Sequence, residues 1–114
     1  MMAEQNDREL LMIESLREIA EQLGHSLHHP VSLGLLCLDF GITNRDREKI
    51  LLALCKILDE DIELTYEVLK DKVHSVYPES EDFSDLTMKA LLKAYAKNLI
   101  PELVPVVENF DDEL

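Results

Sequence analysis

Residues 31–40 read VSLGLLCLDF, and whether this run is strand or helix decides the fold class. Only Ser32 and Asp39 are polar, and a short apolar run has no period that separates a buried strand from a buried helix. A strand needs a neighbour to take its backbone N–H and C=O groups. No other stretch offers one, so the run is expected to be a short helix, buried nearly all round. Pro30 suits its first turn, where a missing N–H costs nothing, and Gly41 closes it.

The flanking segments follow a helical period. Upstream, from about Asn6 to Gly24, Met12, Leu16, Ile19 and Leu23 recur at spacings of four, three and four on one stripe. Glu14, Arg17, Glu18 and Glu21 occupy the other faces, and Gly24 is the expected stop. Downstream, Thr43 with Asp46 three residues on resembles a capping box, and Ile50, Leu51, Leu54, Ile57 and Leu58 form an apolar face. Thr65 is placed to cap a fourth helix that buries Leu69, Val73 and Val76. YPESED (77–82) reads as a loop, because proline and clustered acids resist regular structure. Ser84 or Asp82 opens a fifth helix with Met88, Leu91, Leu92, Tyr95 and Leu99 on one stripe, ending near Asn98. A last helix carries Leu103, Val106, Val107 and Phe110, with Pro105 bending it or delaying its start. Short turns join these segments and no linker or repeat interrupts them. The expected fold is all-α: one domain over 1–114, a compact bundle of about five or six short helices, with a frayed acidic tail over 111–114.

The 114 residues include 24 acids and 11 Lys or Arg, a formal charge of −13. At 46 % hydrophobic residues the chain is too apolar for a disordered acidic tail. Phosphate backbones and anionic membranes both attract positive surface, so direct nucleic-acid binding and membrane binding are not expected. No run reaches the length of a membrane span, and MMAEQNDRE at the start is unlike a signal peptide. The final DDEL is therefore not read as a retention address, and two cysteines in an ordinary domain fit a reducing cytoplasm.

Catalytic signatures are not found. His25 and His29 have the i, i+4 spacing of a helical metal pair, and His28 stands between them. Gly24 and Pro30 bracket the segment, though, and a solvent-exposed turn is the expected reading. His74 joins them only if the fold brings it there. Cys37 and Cys55, eighteen positions apart, are expected to be small buried hydrophobes rather than a redox pair or nucleophiles. The series Glu14, Glu18, Glu21 and the group Asp59, Glu60, Glu63 read as solvated faces, lacking the burial that would raise a carboxyl pKa. Asp59–Glu67 lacks the ligand pattern of a calcium loop, and three glycines leave little for a phosphate cradle. No catalytic residue, metal ligand or cofactor is expected.

Two features point to association. Lys89, Lys93 and Lys97 stand four apart opposite the apolar stripe of the fifth helix, an outward basic row in an acidic chain. Such a row serves solubility, or docks on an acidic surface within the chain or across subunits. The stripe Met12, Leu16, Ile19 and Leu23 has the seam period of a coiled coil; packing on the chain's own core is the plainer reading, self-association the other.

The helix IESLREIAEQL, the segment LLCLDFGITNRDREKILLALCKIL, the LTYEVL start and the stretch KAYAKNLIPELVPV together resemble the small all-helical family typified by Bacillus YhaI. YPESED and the Pro101, Pro105 pair depart from its pattern. The resemblance implies a compact helical fold, a cytoplasmic setting and homo-oligomers, and it implies no activity. The expected function is a non-enzymatic, self-associating interaction or regulatory module. The alternative is an acidic antagonist or immunity-type protein binding a basic protein partner, such as a toxin, a nuclease or a nucleic-acid-binding protein.

Overall fold

Capping side chains set the element boundaries. A computed structural model describes residues 2–110, with side chains from Asn6 onward, and the fraying expected of 111–114 lies outside the described residues. The helices are α1 (Met2–Gln22), α2 (Leu33–Asp39), α3 (Asn44–Leu58), α4 (Tyr66–Val76), α5 (Asp85–Asn98) and α6 (Val104–Glu108). Short 3₁₀ turns at Pro78–Asp82 and Pro101–Leu103 complete the described residues, among which there is no strand. The molecule is all-α.

The starts of α2 to α5 each have a side-chain cap, while α6 has none. Pro30, expected in the first turn of α2, lies ahead of the helix, whose cap is Ser32. Oγ of Ser32 accepts from the Leu35 N–H at 3.1 Å, and Oγ1 of Thr43 accepts from the Asp46 N–H at 3.2 Å. Thr65 and Ser84 do the same for the N–H groups of Val68 and Thr87. These bonds satisfy amides that a helix leaves without intrahelical partners. The stops are equally local. Gly24 and Gly41 have φ of 84° and 71°. After each, the next amide reaches back to the last turn, His25 N–H to Ala20 C=O at 2.9 Å and Ile42 N–H to Cys37 C=O at 2.8 Å. A residue with a Cβ is strained there, hence glycine.

The core is built around α5, which α2, α4, α6 and the turn before α6 all touch. Ala90, Ala94 and Ala96 are as buried as Met88, Leu91, Leu92 and Tyr95. Small side chains on the faces between the large ones let neighbours approach from several sides, so α5 is a central rod. Leu99, expected on its buried stripe, is exposed. The Tyr95 hydroxyl donates to the Arg47 carbonyl at 2.8 Å, which ties α5 to the first turn of α3.

Three other expectations are corrected. The all-round burial of 31–40 is only partial: Leu33, Leu35, Leu36 and Cys37 are covered, while Val31, Gly34 and Leu38 are open. YPESED is a 3₁₀ turn rather than an irregular loop. Buried Ser80 organises it, donating to the Tyr77 carbonyl at 2.7 Å and meeting Nδ1 of His74 at 2.6 Å. Val76 is half-buried rather than fully covered. Pro105 is the second residue of α6, in the first turn where proline is tolerated, so it delays the helix rather than breaking it.

Candidate functional site

Among the described residues α1 makes no extended packing with any other element. The dimensions, 53 × 27 × 24 Å, and a radius of gyration of 15.3 Å exceed what a closed domain this size needs, about 13 Å. What holds α1 is local: Ala20 is buried, and Nη2 of Arg17 lies 2.7 Å from Oδ1 of Asp39 at the end of α2.

The apolar stripe on α1 is consequently uncovered. Met12, Leu16, Ile19 and Leu23 remain 65, 54, 59 and 68 % exposed, so the plainer expectation, that they pack on the chain's own core, is overturned. Where α1 leans on α2 the stripe continues into a groove of about 320 Å³ lined by Leu16, Ile19, Leu23, Val31, Leu35 and Leu38. The four-three-four spacing defines a seam whose flanking positions hold Ile13, Ser15, Ala20 and Gln22, all uncharged. Glu14, Arg17, Glu18 and Glu21 lie on the outer faces and are exposed. A copy of the same helix laid along this seam therefore meets apolar contacts without like charges beside them.

The lysine row is divided, and the outward expectation is corrected. Lys89 and Lys93 retain only 8 and 5 % exposure, while Lys97 is exposed. Their stems are covered because α5 is central. Nζ of Lys89 stands 5.2 Å from the centroid of the Tyr66 ring, whose hydroxyl donates to Oδ1 of Asp85 at 2.6 Å. Nζ of Lys70 lies 5.4 Å from the same ring. Both are cation–π distances. Sequence reasoning missed this cluster, and the alanines between the lysines were the available signal.

The histidines separate into three roles. Nδ1 of His25 accepts from the Val31 N–H at 3.0 Å and so braces the 25–30 turn. His28 and His29 are exposed at a cleft of about 220 Å³ shared with Lys93, Lys97 and a single carboxylate, Glu108. His74 joins Ser80 instead. Among the described residues no three of His, Cys, Asp or Glu are grouped to hold a metal ion. Ser80 is fully buried and its proton goes to a backbone carbonyl, so the His74–Ser80 contact has the geometry of a clasp.

Of the cysteines, Cys37 is buried, and burial pushes its thiol above the ordinary value against the opposing pull of Arg47. A raised thiol pKa lowers the thiolate fraction that a nucleophile needs. Cys55 is exposed, which corrects the expectation that both are buried: it sits on the solvent side of α3 near exposed Leu52. Among the described residues no helix is long and apolar enough to cross a membrane. Compared with family models, with curated proteins and with solved structures, the chain matches none.

Proposed function

We propose that this protein is a non-enzymatic interaction module that self-associates through the α1 stripe and the groove between α1 and α2. The observation that carries this reading is the continuous apolar face of Met12, Leu16, Ile19, Leu23, Val31 and Leu38, each 38–68 % exposed. Taking about 100 Å² for a whole aliphatic side chain, these six offer on the order of 300 Å² of apolar surface. A standard interface removes about 800 Å² per partner from water, a little over half of it apolar. The patch supplies most of that requirement before its rim is counted.

The neutral flanks of the seam favour a second copy over a basic protein, which would look for acids bordering the contact. The resemblance to the YhaI-like family implies the same homo-oligomer, and two free cysteines suit the reducing cytoplasm proposed for it. Light scattering and sedimentation of the wild type are expected to give a dimer or larger, and the double variant Leu16→Glu with Ile19→Glu a folded monomer. Both side chains point to solvent, so helicity should hold, and the melting temperature should lose only the concentration-dependent part that association contributes. A strictly monomeric wild type at high micromolar concentration overturns the reading.

A further inference from the structure

The seam does not use every exposed apolar side chain. Leu10 and Leu11 are 55 and 63 % exposed. Helical periodicity places Leu10 opposite Met12, Leu16, Ile19 and Leu23, with Glu14 and Glu21. Leu11 stands at the edge of that face beside Glu18, and Arg17, turned to Asp39, at the other edge. That face mixes apolar and acidic groups in a way the seam leaves unexplained. On the body, Leu52 of α3 is 64 % exposed, and it lies in an open groove of about 550 Å³ between α3 and α4 with Ala53 and half-buried Val76. Three ammonium side chains border it, Lys49 and Lys56 from α3 and Lys72 from α4. None of the three forms an ion pair with another described residue. In a chain of net charge −13 this is a local basic spot with a greasy floor.

We infer that the α3–α4 groove receives the outer face of α1 from a second copy of the chain. The inference rests on the self-association proposed above but uses a different face of the helix. Three matches support it. Lys49 and Lys56 are seven residues apart and so are Glu14 and Glu21, each pair spanning about 10.5 Å along its helix. Glu18 lies between the two acids, and Lys72 brings a third ammonium from α4 to the same groove. The floor is apolar, and Leu10 and Leu11 on the same helix face are apolar and unused. A small amphiphile fits less well, since such ligands are held with most of their surface buried and this groove is open. A helix laid in a groove needs only one face covered.

In the head-to-tail form inferred, with no reciprocal exchange within one pair, this contact joins two different surfaces and leaves each copy a further helix face or groove to offer. Combined with the seam it builds assemblies larger than a dimer, either closed rings or chains. Its charged part is exposed and therefore weakened by salt.

Sedimentation of the full chain at low ionic strength is expected to show species above the dimer that shrink as salt is added. The triple variant Lys49→Glu, Lys56→Glu, Lys72→Glu should stop at the dimer, as should Glu14→Lys, Glu18→Lys, Glu21→Lys. Making all six changes in one chain keeps the net charge at −13 and should restore the larger species. Circular dichroism confirms that each variant folds, since these side chains lie at the surface. A mixture of the two triple variants should also assemble beyond either alone, and this holds even if Leu16→Glu with Ile19→Glu shows the seam to be unused. A wild type that never exceeds a dimer, as it would if the groove served an acidic helix of another protein, overturns the inference. So does a six-fold exchange that fails to restore assembly.

Discussion

Arg17 and Asp39 are the single ion pair joining α1 to α2 among the described residues, at 2.7 Å. Their side chains are 52 and 31 % exposed, so solvent screens the pair and its contribution to stability is small. Its geometric effect is larger, because little else fixes the direction of α1. Arg17→Ala is expected to lower global stability by less than about 1 kcal/mol. Amide exchange along 10–22 should nevertheless accelerate while α5 stays protected. Unchanged exchange in α1 would mean that buried Ala20 alone holds the helix.

The Tyr95 hydroxyl is buried between α5 and α3 and donates to the Arg47 carbonyl. Tyr95→Phe removes that bond while keeping the ring, and is expected to cost about 1 kcal/mol, lowering the melting temperature by roughly 4 °C. Burial pushes the phenol above its ordinary value, and Tyr77 is shifted the same way, again chiefly by burial. A group whose native pKa lies above its unfolded one binds more protons in the native state, so the stability tied to it is intact below the unfolded pKa. That stability declines as pH rises past about 10, the ordinary tyrosine value. Denaturant titrations should show a steeper alkaline loss for wild type than for Tyr95→Phe.

Ser80 donates to the Tyr77 carbonyl, so its hydroxyl has no proton left for His74. Neutral His74 must then carry its proton on Nδ1 and donate to Ser80. Nitrogen chemical shifts of the imidazole should report that tautomer, and Ser80→Ala should reverse or blur it. The Tyr77 carbonyl keeps the backbone N–H of residue 80 at 3.0 Å, so losing the hydroxyl is expected to cost about 1 kcal/mol, read from chemical denaturation.

The sequence made the element boundaries legible because caps and stops are local chemistry. Thr43, Thr65 and Ser84 each hold an amide three residues on, and Gly24 and Gly41 take the left-handed conformation that their neighbours would resist. Burial was less legible, because periodicity shows that a helix has an apolar face but not what covers it. The α1 stripe and the α5 stripe have similar spacing, yet one is open and the other sits at the centre. The difference lies in Ala90, Ala94 and Ala96, which let α5 be approached from all sides, and in the lysine stems that extend past the packed layer. The groove between α3 and α4 was hidden for another reason: residues 43–60 hold four acids and four bases, and a balanced sum conceals lysines that share one side.

Cys55 alone offers its sulfur to reagents in the bulk, while Cys37 is shielded. A maleimide-linked nitroxide would consequently attach once per molecule with no engineering. Dipolar spectroscopy on that product reads the separation between labels in neighbouring molecules, converting the asymmetry of two thiols into a ruler for how the subunits are arranged.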